Sequence, residues 1–240
     1  MRAVILQPSY LPWVGYFEQL HQADVFVVYD DVQFDKHGWR NRNRIRTKEG
    51  TEWLTVPVQT KGRFGQRNNE VRISEGGRWK KKHLGAIRQH YGMTKAFDLH
   101  YPQLERAILH AHGPLLGLNL ELLHLAAGWL GLERKVCLSS ELRVPENLNP
   151  TERLVEICLA VGASSLYEGA SGRNYIEEER FTRAGVQLAY QDYEHPVYAQ
   201  QYPGFVSHLS VIDLLFNHGK DSMAIILSQG VHPLPSSSEA

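Results

Sequence analysis

Apolar residues reach the start of this chain in short solid runs. Residues 3–6 and 25–29 are such blocks, and each reads as a strand buried on both faces. The stretch between them, 12–23, carries its apolar residues at helical spacing. The opening is therefore β-α-β, a crossover that implies a parallel sheet. After Asp31 the rhythm changes to alternation. Residues 39–47 put Arg40, Arg42, Arg44 and Arg46 on one parity, Lys48-Glu49-Gly50 makes a turn, and 52–58 continues as a second strand with Pro57 near its end. That pattern predicts a hairpin with one strongly basic face. Residues 61–66 form a basic, glycine-bearing loop, and 71–73 read as a third short strand.

Helical spacing dominates next, over 79–91, 99–112 and 116–130, with Gly92 and Gly113-Pro114 as breakers. An α/β rhythm then returns: strand 136–138, helix 151–161, strand 164–167, helix 175–184, strand 186–190, and closing helices 209–217 and 222–227. The helix near 151 has a local start signal. Asn149 is placed to cap it, Pro150 occupies the first turn, and Glu152 follows three residues after the cap. The expected fold is a doubly wound, mostly parallel sheet of about five strands. A basic β-hairpin and helical insertion (33–95) interrupts it between the second and third strands. No repeat or linker divides the chain, so 1–230 reads as one domain and the proline- and serine-rich 231–240 as a flexible tail.

Composition narrows the class without changing this picture. With 42% apolar and 22% charged residues, the chain is neither disordered nor fibrous. The long apolar stretch 115–132 is broken by Asn119, Glu121 and His124, so no membrane insertion is expected. No basic-then-apolar leader precedes the first strand, and Cys137 and Cys158 lie inside apolar patterns without a CxxC spacing. Both features fit a cytoplasmic protein with reduced core thiols.

Charge does change the picture. The net charge is zero, yet residues 33–95 hold sixteen Lys/Arg against five Asp/Glu. The insertion thus carries a strongly positive field, suited to capturing an anion such as a phosphate-bearing sugar, a nucleotide or RNA. In open α/β sheets ligands bind beyond the carboxyl ends of the strands. Each predicted strand here ends in a polar cluster: Gln7 to Phe17, Asp30-Asp31, Ser139-Ser140-Glu141, Glu168 to Tyr175, and Gln191-Asp192-Tyr193. Gln7, Tyr10, Asp31, Ser140, Glu168 and Asp192 are expected to line one cavity.

The first cluster is the most distinctive. Pro8 and Pro12 stiffen the turn, Gly15 permits a close approach at the helix start, and Trp13 and Tyr16 offer flat apolar surface to a ring. Gly169 and Gly172 flank Ser171 beside Arg173, a loop expected to be free to wrap a phosphate. Arg40 and Arg42 are further phosphate partners, and Asp31 is a candidate for holding a hydroxyl or amine. His37, in a donor-rich loop, and His195, before Pro196, are candidate acid/base groups near neutral pH. Two adjacent carboxylates do not make a metal site, and neither a Walker nor a dinucleotide fingerprint occurs, so no metal is expected and no cofactor is named.

The string Gln7-Pro8-Ser9-Tyr10-Leu11-Pro12-Trp13-Val14-Gly15-Tyr16-Phe17, followed by Tyr29-Asp30-Asp31-Val32-Gln33-Phe34 and by Lys36-His37-Gly38-Trp39-Arg40-Asn41-Arg42-Asn43, resembles the WbqC-like (WbmP-like) family of bacterial proteins. Leu54-Thr55-Val56-Pro57-Val58, Ser139-Ser140-Glu141-Leu142, His195-Pro196-Val197-Tyr198 and the segment around Asp213 extend the resemblance nearly to Gly230. Members of that family are often encoded with O-antigen and other surface-polysaccharide genes. The resemblance implies a pathway setting and carries over no catalytic residues. A more distant similarity, to nucleotidyltransferases with a Gly-His signature after the first strand, fails at Tyr16, which stands where the histidine would be. The residues together lead to a transferase or ligase acting on a nucleotide-activated or carrier-linked sugar. The alternative is a non-catalytic RNA- or nucleotide-binding protein that uses the basic hairpin.

Overall fold

The computed structural model describes residues 1–145 and 147–228. The chain runs β1 (Arg2–Leu6), α1 (Val14–Gln22), β2 (Val25–Val28), and a hairpin of β3 (Arg42–Thr47) and β4 (Gly50–Thr55). Helices α2 (Arg78–Tyr91), α3 (Phe97–His110) and α4 (Leu115–Trp129) follow. The second half is β5 (Lys135–Leu138), α5 (Pro150–Ala160), β6 (Ser165–Glu168), α6 (Glu178–Arg183), β7 (Gln187–Tyr190), α7 (Val211–His218) and α8 (Ser222–Ile226). The expected tail and the expected domain end at residue 230 lie outside the described residues.

Five strands form one parallel sheet in the order β5-β2-β1-β6-β7, and β3-β4 is a separate antiparallel pair. Strand periodicity sorts the core into two layers. Ala3, Ile5, Val25 and Val27 face α5 and α6, packing with Leu154, Ile157, Cys158 and Phe181. Their neighbours Val4, Phe26 and Val28 face the other way, onto α1, the hairpin and the bundle of α2, α3, α4 and α7. The fold is thus α/β with helices on both faces. The long segment between β2 and β5 supplies most of one layer.

The strand order creates a switch point between β1 and β6, where the crossovers leave toward opposite faces. There the ladder is short. It holds only Arg2↔Ser165 and Ala3↔Leu166, whereas the flanking ladders run through four pairs. The two strands therefore part toward their carboxyl ends and leave a crevice.

Three local expectations need correction. Residues 71–73 make only isolated bridges, Val58↔Ile73 and Arg72↔Pro114, and no strand. The helix expected over 175–184 is confined to Glu178–Arg183, because 170–174 wind as a 3₁₀ turn first. The glycines beside Ser171 do not supply left-handed backbone. A Cβ on Gly172 would stand 2.5 Å from Glu168 Cγ and 3.2 Å from the Tyr190 ring, so this glycine exists for close packing. By contrast the start of α5 forms as its sequence implies: Asn149 Oδ1 accepts from Glu152 N and Glu152 Oε2 from Asn149 N, at 2.9 and 3.1 Å.

Candidate functional site

A cavity of about 600 Å³ occupies the crevice between β1 and β6, within the usual range for a small-molecule site. Gln7 from the end of β1 and Glu168 and Ser171 from the end of β6 line it together, as their positions after neighbouring strands imply. Trp13, Tyr16 and Gln19 on the α1 side form one wall, with Pro150 and Leu154 of α5 across from them. Tyr29, Trp39, Arg40, Asn43, Tyr193 and His208 complete the rim.

The turn after β1 is held rigidly. Asn43 Nδ2 donates to the Leu11 carbonyl at 2.7 Å, Tyr10 N to the Trp39 carbonyl at 3.0 Å, and Val211 N to the Pro12 carbonyl at 2.8 Å. These ties keep Leu11 at a φ of 46°, in the left-handed region that costs a non-glycine residue about 1–3 kcal/mol. Gly15 is needed here, since a Cβ would stand 2.2 Å from the Trp13 indole, which folds back over the helix start. Trp13 in turn stacks on His208 (5.3 Å, 18°), a second non-glycine residue at positive φ.

Glu168 is the cavity group that burial brings to titrate near neutral pH. It is buried, its Oε1 accepts from the Tyr175 hydroxyl at 3.3 Å, and its Oε2 has no partner. Desolvation pushes its carboxyl up from 4.5 to about 7, against the smaller opposing pull of the Tyr175 and backbone hydrogen bonds. Arg40 is the cationic counterpart. Its Nε is buried without a partner, and burial lowers its pKa from 12.5. Beneath the cavity a hydrogen-bonded set joins Glu18, Gln191, Gln19 and Tyr167.

Other residues singled out from the sequence stand elsewhere. Tyr10 is fully buried against His83, with 3.0 Å between its hydroxyl and Nδ1, so it packs the core below the turn. Asp31 is ion-paired with Arg153 and accepts from Ser139 Oγ at 2.6 Å, while Ser140 donates through N and Oγ to the buried Asp30 at 2.9 and 2.7 Å. These groups tie the ends of β2 and β5 to each other and to α5, away from the crevice. His37 is exposed, its N–H on Asp35 and its carbonyl accepting from Arg42. Arg42 stacks on Trp53 at 4.5 Å, and Arg173 on Tyr190 at 4.3 Å. Neither lines the cavity, nor does Asp192. His195 supports the wall from behind, between Trp13 (6.1 Å) and His208 (5.0 Å), and burial lowers its pKa.

The four arginines of one parity have different fates. Among the described residues none forms an ion pair, as the scarcity of nearby acids implies. Arg46 is buried and donates to the carbonyls of Thr47, Gly50 and Pro203 at 2.8–2.9 Å. Arg44 lies over the Trp39 and Trp53 rings and donates to the His208 carbonyl at 3.3 Å. Only Arg40, in the loop before β3, enters the cavity. The residue pattern alone does not single out Gln19, Tyr29, Asn43, Tyr175 and His208, all of which line it. Two of these, Tyr29 and Tyr175, sit at polar strand-end clusters, whereas nothing local marks Asn43 or His208.

Gly172→Ala is expected to displace Glu168, because the new methyl cannot coexist with its Cγ. Thermal unfolding should show a loss of about 1–3 kcal/mol from overpacking, with ligand binding lost in parallel. Unchanged binding in that variant would mean Glu168 has room to move without consequence.

Among the described residues no helix is long and apolar enough to cross a membrane. No solved structure matches the chain. A Mycobacterium tuberculosis (strain ATCC 25618 / H37Rv) protein named "Uncharacterized protein Rv1507c" is 36% identical over 223 residues, which cover 92% of this chain and 95% of the relative. The sequence profile of the WbqC-like protein family matches residues 7–225, a span that includes the turn after β1, both halves of the crevice and the hairpin, and the chain belongs to that family.

Proposed function

We propose that the chain is a group-transfer enzyme acting on a nucleotide-activated or carrier-linked sugar in the assembly of bacterial surface polysaccharide of the O-antigen type. The observation that carries this reading is Glu168: a buried carboxyl poised near neutral pH, in a cavity at the switch point that also holds an unpaired arginine. In this reading Glu168 replaces His37, Asp31 and His195 as the acid/base group, and Arg40 replaces Arg42 and Arg173 as the phosphate partner. Glu168 takes the proton of an attacking hydroxyl or amine. The new bond forms from that oxygen or nitrogen to the activated carbon of the donor. The bond from this carbon to the phosphate oxygen breaks, and the phosphate leaves with the electron pair beside Arg40. Trp13, Tyr16 and Trp39 provide flat walls for the sugar or base.

The test is a thermal-shift screen of the full chain against sugar nucleotides, nucleotides and acyl or aminoacyl donors. Arg40→Met should then weaken binding of a phosphate-bearing hit by about 1.5–3 kcal/mol, the usual size for a hydrogen bond to a charged group. Equal binding by the variant would remove Arg40 from the site. A second reading, RNA binding, has one observation in its favour. Trp39 and Trp53 are each 41% exposed on the hairpin, with the guanidiniums of Arg42 and Arg44 stacked beside them. A polyanion binder loses affinity steeply with salt, whereas a small-ligand enzyme loses far less.

A further inference from the structure

The segment that joins the hairpin to α2 carries a loop with an apolar tip and cationic flanks. Its stem runs beside the chain that leaves β2. Phe34 N donates to the Gln66 carbonyl, Asn68 N to the Val32 carbonyl and Asn69 N to the Asp30 carbonyl, each at 2.9 Å. Asn68 Nδ2 also donates to Gln7 Oε1 at 3.3 Å, and Gln7 lines the cavity. The loop therefore rises from the carboxyl end of the sheet, the end that holds the cavity. Gln66 Nε2 closes its neck by donating to the Gln59 carbonyl at 3.1 Å.

Beyond the neck the backbone turns twice. Arg63 N donates to the Thr60 carbonyl at 3.1 Å across a turn with Gly62 at a φ of 70°, and Gly65 follows at 77°. Apart from adjoining residues, nothing would lie within 4 Å of a Cβ on either glycine, so the loop stands clear of the body. Phe64, between them, is 100% exposed. Lys61 and Arg63 are exposed beside it, and among the described residues neither forms an ion pair. No acidic residue occurs between Glu52 and Glu70.

A ring left wholly in water contributes nothing to the fold, so its apolar surface remains available for burial elsewhere. The shape of the loop says what covers it. A nucleobase covers one face of an aromatic ring, and Trp39 and Trp53 offer flat surface of that kind beside Arg42 and Arg44. A ring at the tip of a free-standing loop is instead open on every side, and only a surrounding medium removes all of it from water. The boundary between lipid headgroups and acyl chains is such a medium, and an anionic surface attracts the cations that flank the ring.

We infer that residues 60–66 dock the protein peripherally on an anionic phospholipid bilayer, with Phe64 at the headgroup boundary and Lys61 and Arg63 on lipid phosphates. The contact needs no spanning helix, and one ring with two cations makes it weak and reversible. Docking brings the carboxyl end of the sheet, and with it the cavity, toward the membrane. Joined to the group-transfer reading, this favours a sugar held by a lipid carrier over a free nucleotide sugar. That choice rests on the proposed reaction, whereas the docking does not.

The experiment is flotation of the full chain with vesicles of phosphatidylcholine alone and of phosphatidylcholine with about 30% phosphatidylglycerol. The expected result is binding to the anionic vesicles, little to the neutral ones, and release as salt rises. Phe64→Ser should weaken binding to the anionic vesicles about tenfold or more, and Phe64→Leu should restore most of it. Lys61→Gln together with Arg63→Gln should weaken it about 25-fold, at roughly fivefold for each charge. None of these variants should shift thermal unfolding, because the replaced side chains are exposed. Failure to bind the anionic vesicles, equal binding to both kinds, or binding that Phe64→Ser leaves intact overturns the docking loop. Phe64-dependent binding of poly(U) RNA in place of vesicles assigns the loop to RNA and overturns it too. The screen against sugar nucleotides is read without vesicles, so the two readings fail separately. A phosphate-bearing hit keeps the group-transfer reading when docking fails, and docking without any hit keeps the loop and removes the sugar.

Discussion

Glu168→Gln is expected to cut turnover by about 10²–10⁴-fold while making the fold more stable above neutral pH. The carboxyl lies at about 7 in the folded chain against an ordinary 4.5, because burial penalises its charged form. A group whose folded value is raised binds its proton more tightly in the native state. Its contribution is therefore fully favourable below 4.5 and is lost as pH rises through about 7. Over that window the wild type should lose about 3 kcal/mol from this group alone. The glutamine variant does not titrate and should lack this component. Urea unfolding of both proteins at pH 5 and pH 8.5 measures the difference. Identical pH dependence in the two proteins would show that the carboxylate is solvated and already ionised when folded, and the acid/base role would fall with it. An activity gained by burying an ionisable group at a cost to stability is the usual trade at such sites.

The second large effect lies outside the cavity. Asp213, fully buried in the first turn of α7, accepts from the Tyr91 hydroxyl at 2.8 Å, the Tyr198 hydroxyl at 3.0 Å and Gln200 Nε2 at 2.9 Å. Tyr91 in turn accepts from the Arg46 backbone N–H at 2.8 Å, which couples α7 to α2 and to β3. Asp213 also stands near the buried Arg46 guanidinium, whose own hydrogen bonds all go to carbonyls. Asp213→Ala should therefore strand three donors in a fully buried cluster. The expected loss is about 3–5 kcal/mol in chemical denaturation, among the largest single-site costs a domain shows. Tyr91→Phe, which leaves Arg46 N–H and one Asp213 oxygen short of a partner, should cost about 1–3 kcal/mol. A mild effect of Asp213→Ala would mean that water replaces the carboxylate in this cluster. Because the cluster holds the hairpin against α7, the same variant should also loosen Asn43 and His208, and so the rim of the cavity.

Features set by neighbouring residues are legible in the sequence. The solid runs at 3–6 and 25–29 mark strands buried on both faces, and Asn149 with Glu152 marks the start of α5 to the residue. The place of the cavity is legible as well, because a β-α-β start opens a crevice at the strand ends, and Gln7 and Glu168 do meet there. What composition does not show is which strand ends meet. With the order β5-β2-β1-β6-β7, the ends of β2 and β5 adjoin each other, so Asp30, Asp31, Ser139 and Ser140 satisfy one another. The chain at 33–95 likewise displays four arginines on one parity, yet only Arg40 reaches the cavity. It precedes β3, while Arg42 and Arg44 lie along Trp39 and Trp53 and Arg46 turns into the core. Sequence by itself determined the local periods, the caps and the polarity of each strand end, since these depend on residues within a few positions of one another. Tertiary structure alone decided the pairing of β1 with β6, the isolation of Glu168 from water and the choice of Arg40. Each of those depends on which distant segments exclude solvent from the same few atoms.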